Sequence, residues 1–422
     1  MGKFDAVGGF SAEVMGMAEE ALASCHCQQE GYESIRRVNM RRVLMAFRKA
    51  GLSDYQFGGT TGYGYNDSGR EAIEEAFAMI AGAESSLVRH QIVSGTHAIA
   101  LALFGVLRPG GRLLAAFGRP YDTLDGIIHG KDGYGSLGEF GVSYSEVAPG
   151  AAGGPDLAGI AEASRSSDAV LIQRSRGYST RKPLSVDEIG SICRTVKEAN
   201  PDAVTIVDNC YGEFTDILEP CSAGADLIAG SLIKNPGGGV APAGGYVAGR
   251  AELVERAASR LTAPGLGSHC GPTLGMNRLI AQGLYFAPMI TCEAMCSSAF
   301  ASCFLHQLGH KVDPGPLEDR GDSVVRIEFN DKEELLSFMK AVQSGSPVDA
   351  KAVPVPGYMP GYEDDVVMAA GAFIQGSSIE LSADAPMRPP YTAYMQGGLS
   401  RHQMEMTLME YAEGALSRRK RL

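Results

Sequence analysis

A lysine and an aspartate that lie 26 residues apart are the residues of this chain best placed to do chemistry. Lys234 follows an apolar run and stands among serine and glycine in Ser231–Gly239, so its amine can be presented in a crowded pocket. Asp208 ends the predicted strand 203–207 and would point its carboxylate into the same region. The pair supplies an amine that can bond to a carbonyl carbon and an anion that can keep a ring nitrogen protonated.

A third segment supplies a site for an anion. An extended run passes here into a predicted helix, and a helix N-terminus binds phosphate through its unpaired N–H groups and its dipole. The segment contains Ser94, Gly95, Thr96 and His97. Taken alone it could equally be a plain strand-to-helix turn, but Ser231 would add a hydroxyl beside it. The three segments together match the phosphate, ring nitrogen and aldehyde of pyridoxal 5'-phosphate, which we predict as the cofactor.

Strand and helix signals alternate along the first two thirds of the chain. Apolar runs at 169–172 and 203–207 predict strands, and a helix is predicted between them over 186–199. This alternation is typical of an α/β domain built on a largely parallel sheet. Beyond about residue 310 the pattern changes to that of a smaller α+β domain, with strands predicted at 324–329 and 378–381.

We therefore expect three parts in the chain. The first is an N-terminal helical segment, 1–60, with a helix that breaks near Gly31. The second is a large cofactor-binding domain, 61–285, and the third is a small C-terminal domain, 286–422.

Composition narrows the class of protein. The 422 residues carry a net charge of −12, which disfavours nucleic acid and anionic membranes as partners. No uninterrupted apolar stretch reaches the roughly 20 residues of a membrane span. The nine cysteines are irregularly spaced, which fits reduced thiols and predicts a cytoplasmic protein. Cys25 and Cys27 lack a second ligand pair at zinc spacing, so we predict no metal site.

Five segments, read in chain order, resemble the aspartate aminotransferase-like superfamily of pyridoxal phosphate enzymes. They are more similar to its cystathionine lyase and methionine γ-lyase group. The nearest likeness is to the bacterial branch described as methionine γ-lyase-like or cystathionine β-lyase-like aluminium resistance proteins. The segments are 62–67, 94–98, 173–178, 207–214 and 231–238.

The resemblance implies a fold, an assembly and a substrate class. The fold is that of the pyridoxal-phosphate-dependent transferases, with a mainly parallel sheet in the large domain and a smaller α+β C-terminal domain. The assembly is a homotetramer, or a dimer at least, with its sites at the subunit interface. The substrate is a sulfur-containing amino acid.

The resemblance also assigns roles to individual residues. Tyr121 matches the tyrosine that stacks on the cofactor ring, and His97 is the alternative. Tyr63 and Tyr65 match the segment that the lyases send across the interface to the neighbouring subunit's phosphate. This chain departs from that pattern, since no arginine lies two residues beyond Tyr63. Arg70 is too far into the following helix to be assumed equivalent.

Two arginines are candidates for the substrate carboxylate, which needs a cationic fork. Arg388 lies after the last predicted strand of the small domain, with prolines close on both sides, where the family places its carboxylate-binding arginine. Arg176, in the 173–178 run of the large domain, is the rival. We expect Arg388 to be the carboxylate ligand.

The predicted activity is that of a carbon–sulfur lyase working by β- or γ-elimination. Lys234 would move the proton as general base and then acid, and Asp208 would keep the ring protonated. The motifs identify the cofactor better than the reaction, because the cofactor carries the hard chemistry. An aldolase, a decarboxylase, an aminotransferase, or a cofactor-binding protein with vestigial catalysis therefore stays open.

Overall fold

A computed structural model of the chain describes residues 4, 8–130, 133–359 and 364–419. The chain divides into two compact units, Arg37–Pro288 and a unit made of Met1–Arg36 with Met289–Leu422. Helix α1, Ala12–Lys49, begins before the first boundary and ends after it. It is continuous through Gly31, so the expected break there is wrong. One glycine costs a helix only about 1 kcal/mol relative to alanine, which a 38-residue helix with a buried face tolerates.

The unit Arg37–Pro288 contains a seven-stranded sheet with the strand order β1-β7-β6-β5-β4-β2-β3. Its strands are β1 Ser85–Arg89, β2 Arg112–Ala115, β3 Ser143–Glu146, β4 Ala169–Gln173, β5 Val204–Asp208, β6 Leu227–Ser231 and β7 Gly245–Gly249. Its helices are α2 Ser68–Ala81, α3 Gly95–Val106, α4 Asp125–Ile128, α5 Leu157–Ser164, α6 Val186–Ala199 and α7 Ala251–Leu261. The pairs β3–β2, β2–β4, β4–β5 and β5–β6 are parallel. This confirms the prediction of a largely parallel sheet.

The central strands have the apolar runs expected of strands covered on both faces. Every residue of β4 and β6 is buried, and β5 is buried except at its first residue. The crossover helix α6 starts at a capping box, in which Ser185 and Glu188 each accept a hydrogen bond from the other's backbone N–H. Because β4, β5 and β6 are parallel neighbours, their carboxyl ends lie at one edge of the sheet.

Strand β7 runs antiparallel between β1 and β6. Its five residues, like those of β6, are all buried. The pairing places Tyr246 of β7 opposite Gly230 of β6, one residue before the carboxyl end of β6. This antiparallel insertion therefore delivers a side chain from a later part of the chain to the edge where β5 and β6 end.

The second unit contains a five-stranded antiparallel sheet in the order β10-β11-β12-β9-β8. Helix α8, Asn277–Gln307, leads into it. The remaining elements are β8 Lys311–Asp313, β9 Val325–Glu328, α9 Lys332–Ser344, β10 Val366–Ala370, β11 Ser382–Pro386, β12 Thr392–Gln396 and α10 Arg401–Arg419. The small domain is thus α+β, as predicted.

One predicted strand of this unit is misplaced. The buried run 378–381 is not a strand, and β11 starts only at Ser382. The carbonyl of Ile379 accepts a hydrogen bond from Gly398, which lies in the loop after β12. The apolar run correctly indicates that these residues are buried. Their backbone hydrogen bond is made with a loop residue distant in sequence, which the local sequence does not indicate.

Among the described residues, only α8 has the length and apolar composition of a membrane span. Of its most apolar window, 61% is buried within the protein. A long apolar helix that is mostly buried within a protein is also typical of a protein core.

Candidate active site

Asp208 is the last residue of β5, and its side chain is only 5% exposed. Its Oδ1 accepts a hydrogen bond from the backbone N–H of Cys210 at 3.1 Å. Burial raises the pKa of the Asp208 carboxyl, and the positive charge of Lys234, the Cys210 hydrogen bonds and Arg181 oppose that rise. A carboxylate in this position is best stabilised by a cation lying directly against it.

Lys234 lies in the turn that follows β6, and its side chain is half-buried. Its Nζ lies 4.1 Å from the centroid of the Tyr211 ring. Burial by itself would lower the pKa of Lys234. The acidic groups around it, Cys210, Tyr211, Asp208 and Glu213, nevertheless raise that pKa above its ordinary value. The structure therefore brings the two predicted reactive groups into one electrostatic cluster.

The turn that carries Lys234 is tied directly to the segment that carries Asp208. The Nδ2 atom of Asn235 donates to the carbonyls of Tyr211 at 3.0 Å and Glu213 at 2.9 Å. Asn235 is buried. One amide side chain thus fixes the lysine turn to the residues that follow β5.

Tyr211 is a site residue to which the sequence analysis gave no role, although it lies within the 207–214 segment. Its ring is the aromatic surface beside the Lys234 amine. Its φ is 71°, in the left-handed region that a bulky residue rarely adopts. Such strain is often found at functional sites. The signal that could have identified Tyr211 is its position in the sequence, three residues after the aspartate that ends β5.

The N-terminus of α3 lies against this cluster. The Ser94 hydroxyl caps the helix by accepting from the His97 N–H at 3.0 Å. A Cβ on Gly95 would lie 3.0 Å from Cys210 Sγ and 3.4 Å from Ser231 Cβ. The first N–H groups of a helix have no intrahelical acceptor. Lys234, Asp208, Gly95 and Ser231 are therefore brought together, with a site for an anion at the helix end.

The side chains of the first turn of α3 have specific partners. The Thr96 hydroxyl lies 3.0 Å from that of Thr123. The His97 Nδ1 accepts from the Val93 N–H at 3.2 Å, and burial lowers the pKa of His97. His97 is therefore a neutral imidazole at pH 7 with its proton on Nε2. Its stacking on a cofactor ring stays a prediction.

Tyr121 is held at the carboxyl end of β4. Its N–H donates to Gln173 Oε1 at 2.6 Å, and Gln173 pairs in register with Asp208. A Cβ on Gly177 would lie 3.2 Å from the Tyr121 ring, which also meets Tyr178 edge-on at a centroid distance of 5.8 Å. Tyr121 thus lies one strand away from Asp208, and its stacking role also stays a prediction.

The loop after β4 contains three arginines with different surroundings. Arg174 is buried and donates to Asn209 Oδ1 at 2.8 Å and Thr215 Oγ1 at 3.1 Å, which is a structural role. Arg176 is also buried, and its carbonyl accepts from Ser179. Arg181 donates to the carbonyls of Phe117 and Ser175.

Arg181 is a second site residue that the sequence analysis missed. Burial lowers the pKa of Arg181 to about 10, and the negative charge of Asp208 opposes that change. Its guanidinium also lies 5.5 Å from the centroid of the Phe117 ring. It is thus a second cation interacting with Asp208. Its sequence position, eight residues beyond the end of β4, offered no motif that could have identified it.

Tyr63 and Tyr65 are not part of this cluster in the single chain. They are 70% and 51% exposed and stack on each other with centroids 5.4 Å apart. Buried Arg70 holds their loop by donating to the carbonyls of Gly64 at 2.6 Å and Gly271 at 2.7 Å. The Arg70 guanidinium thus binds backbone carbonyls of its own chain, a structural role in this loop.

Arg388 lies in the hairpin between β11 and β12 and is 54% exposed. Its Nη1 donates to Asp364 Oδ2 at 2.7 Å. An arginine that binds a substrate carboxylate from this position would have to exchange this ion pair for the substrate. The assignment of Arg388 stays a prediction.

The cluster fits the predicted cofactor by the chemistry of its groups. The α3 N-terminus and the Ser231 hydroxyl provide hydrogen-bond donors for a phosphate. Asp208 provides an anion for a protonated ring nitrogen, and Lys234 provides a primary amine for an aldehyde. These groups come from the ends of β5 and β6 and from the helix beside them, the edge at which α/β sheets bind ligands.

Comparison with known proteins supports this description. The sequence model of the methionine gamma-lyase family matches residues 14–415. The uncharacterized protein YnbB of Bacillus subtilis is 47% identical over 385 residues, which cover 90% of this chain and 91% of YnbB.

Solved structures extend the likeness to the fold. A Clostridium novyi protein named a carbon–sulfur lyase involved in aluminium resistance is 44% identical, with a TM-score of 0.91 over 97% of this chain and 96% of its own. A Listeria innocua protein provisionally named a cystathionine β-lyase involved in aluminium resistance is 42% identical, with a TM-score of 0.93 over 96% and 99%. The pyridoxal-5'-phosphate-dependent protein YhfS of Escherichia coli, 18% identical with a TM-score of 0.62 over 92% and 97%, shares the fold alone. The predicted fold class is thereby confirmed.

Proposed function

The chain belongs to the methionine gamma-lyase family, and from that premise we propose that it is a pyridoxal-phosphate-dependent carbon–sulfur lyase. Its substrate is a sulfur-containing amino acid, which it cleaves by β- or γ-elimination. The observation that carries the proposal is the cluster of Lys234 and Asp208 at the carboxyl ends of the paired strands β6 and β5. The names of the similar structures support the same kind of activity.

The residues of the cluster have distinct tasks in this reaction. When bound, pyridoxal phosphate supplies an electron sink that acidifies the α-carbon of the amino acid. Asp208 would hold the proton on the ring nitrogen, and the α3 N-terminus with Ser231 would hold the phosphate. The Lys234 amine takes the proton from the substrate α-carbon and returns a proton later in the reaction. Tyr121, held beside the end of β4 by Gln173, would stack on the ring and limit access of water.

A panel of amino acids tests the function. A carbon–sulfur lyase is expected to release a thiol, a 2-oxo acid and ammonia together from one or more sulfur-containing amino acids. An aminotransferase would release the 2-oxo acid without ammonia, an aldolase would release an aldehyde, and a decarboxylase would release carbon dioxide. A yellow protein inert toward the whole panel would indicate vestigial catalysis and contradict the proposal. The Lys234→Ala protein is the control for background breakdown.

Arg388→Ala is expected to raise the Michaelis constant about ten- to a hundredfold, because a charged hydrogen bond is worth roughly 1.5–3 kcal/mol. The visible spectrum of the bound cofactor should not change. Steady-state kinetics on a substrate found with the panel measures the effect. Asp364→Ala, which removes the partner of Arg388, is the matched control and should leave the Michaelis constant equal or lower. A normal constant for Arg388→Ala with a raised one for Arg176→Ala would place the carboxylate at Arg176.

We further propose an obligate oligomer, a homotetramer or at least a dimer, in which Tyr63 and Tyr65 reach the phosphate of the neighbouring subunit. Exposed Tyr63, Tyr65 and Leu274 lie on backbone segments that hydrogen-bond to each other, since Tyr63 pairs with Gly271 and Thr60 with Leu274. Exposed apolar groups gathered in this way are typical of an interface. A fully active monomer in light scattering would contradict this assembly.

The cytoplasm is the proposed location. All nine cysteines are free thiols in the structure. Proteins exposed to an oxidising compartment normally pair such residues. Fractionation of cells that express the chain would test this location.

A further inference from the structure

A second buried acid, Glu213, lies on the same segment as Asp208 and takes no part in the reaction described above. Its side chain is 2% exposed. Its Oε1 accepts a hydrogen bond from the Tyr246 hydroxyl at 2.7 Å. A Cβ on Gly230 would lie 2.7 Å from both of these oxygens, so the glycine of β6 leaves the space in which acid and phenol meet.

The other carboxyl oxygen of Glu213 has no hydrogen-bond partner within the described part of the chain. Glu213 also lines a cavity of about 10 Å³, the lower limit for holding one water molecule. The cavity is bounded by Phe77 and Ile80 of α2, Ile228 of β6, and the polar Asn209, Glu219 and Tyr246. A buried carboxylate with one unsatisfied oxygen costs more free energy than a buried neutral acid. This geometry favours the protonated form.

The charges around Glu213 act in both directions, since Glu219 raises the pKa of Glu213 and Lys234 lowers it. Burial raises the pKa of Glu213 to about 8, and the Tyr246 hydrogen bond opposes that rise. The groups facing it are Tyr246 on β7, Lys234 after β6, and Cys210 and Glu219 on its own segment. Glu219 is ion-paired with Arg42 and Arg174, so the arginines of this network are engaged with the other acid.

Glu213 is linked to Lys234 by structure as well as by charge. Asn235, the neighbour of Lys234, donates to the Glu213 carbonyl at 2.9 Å. Glu213 and Lys234 each alter the other's proton affinity. A proton lost from Glu213 therefore leaves a negative charge near the lysine amine.

We propose that Glu213 is a positioning residue that is protonated at pH 7 and that, by losing its proton in mildly alkaline solution, holds Lys234 in its unreactive ammonium form. The assignment of Lys234 as the aldehyde-binding amine rests on the proposed function. The charge coupling between the two side chains does not. At pH 7 the protonated Glu213 adds no charge beside the lysine, and above about pH 8 its carboxylate does.

Infrared spectroscopy of the full-length protein tests the first half of the proposal. The wild type is expected to show the carbonyl stretch of a protonated carboxylic acid at pH 6.5 and to lose it as the pH rises through about 8. Glu213→Gln should lack this titrating band, while the surface control Glu198→Gln should retain it. Tyr246→Phe should shift its midpoint to higher pH, because the carboxylate loses its donor. A wild-type spectrum with no band that Glu213→Gln removes would overturn the proposal.

The fold of the Glu213→Gln protein can be checked independently. The pKa of Glu213 is higher in the native than in the unfolded chain, so its stabilising contribution is complete below about pH 4.5 and is lost as the pH rises to about 8. A neutral glutamine has no such loss. Glu213→Gln is therefore expected to melt at a temperature at least as high as the wild type at pH 7.

Trace acetylation of the cofactor-free, full-length protein tests the second half. Lys234 and the exposed reference Lys340 are quantified by mass spectrometry after a pulse of acetic anhydride. Relative to Lys340, Lys234 should react equally in the wild type and Glu213→Gln at pH 7. At pH 9, one pH unit above its midpoint, Glu213 is about nine-tenths ionised in the wild type. Only about one tenth of the wild-type molecules then lack the charge that holds the ammonium. Lys234 should therefore react about tenfold faster in Glu213→Gln.

The possible outcomes separate this inference from the proposed function. Equal acetylation of Lys234 in the two proteins at both pH values would overturn the coupling, even if the infrared band is found. A tenfold difference at pH 9 together with an amino-acid panel that yields no product would support the coupling and refute the lyase.

Discussion

Replacement of Asp208 by asparagine is expected to cut turnover by about a hundredfold to a thousandfold while the protein still binds pyridoxal phosphate. Removing one preorganised electrostatic partner of a developing charge typically costs this much. Asparagine is nearly the same size and can still accept the hydrogen bond that Cys210 donates to Oδ1. What it lacks is the negative charge that keeps the ring nitrogen protonated, so the loss should fall on the catalytic rate.

Two measurements on the Asp208→Asn protein check this expectation. Equilibrium dialysis should find about one pyridoxal phosphate per chain, and steady-state kinetics should give the lowered turnover with a Michaelis constant close to that of the wild type. Asp202→Asn, an exposed aspartate shortly before β5, is the matched control and should be as active as the wild type. Near-normal turnover of Asp208→Asn would refute the role of Asp208 at the ring nitrogen.

Asp208 and Lys234 could be predicted to lie together because each follows an apolar run in the sequence. Apolar runs predict β4 and β5, and parallel strands end at one edge of the sheet. Residues placed just beyond such runs therefore meet, whatever the details of the loops. The same reasoning predicted the placement of Gly95, the first residue of α3, and Ser231, the last residue of β6.

The groups that tune the cluster could not be predicted in this way. Tyr246 reaches Glu213 only because β7 inserts antiparallel between β1 and β6, a pairing of distant segments with no local signal. Arg181 interacts electrostatically with Asp208 through an irregular loop. Burial, which decides the proton affinity of Glu213, is likewise a property of the packed structure.

The misplaced strand at 378–381 has a related cause. Its apolar residues are buried as the sequence indicates, but a loop beyond β12 takes the backbone hydrogen bond that a strand would have used. Burial and strand pairing are separate conditions, and local sequence reports chiefly on the first.

Lys234→Ala is expected to be the most damaging single substitution, because one side chain both bonds to the cofactor and moves the proton. Loss of a general acid–base group alone typically costs a factor of about 10² to 10⁴ in rate. The alanine protein should lose its covalent link to pyridoxal phosphate but keep the phosphate site, since the α3 N-terminus and Ser231 are unchanged. It should therefore bind the cofactor noncovalently.

Reductive trapping tests directly whether Lys234 is the lysine that bonds to the cofactor. Borohydride treatment of the wild type followed by peptide mapping should place the pyridoxyl group on the peptide that contains Lys234. The Lys234→Ala protein should give no pyridoxylated peptide. Lys197, whose amine forms a 2.8 Å ion pair with Asp226, is the matched control, and Lys197→Ala should still be labelled at Lys234. The proposed site depends on the position of Lys234 near Tyr211 and Asp208. A pyridoxyl group found on any other lysine would therefore contradict the proposed site.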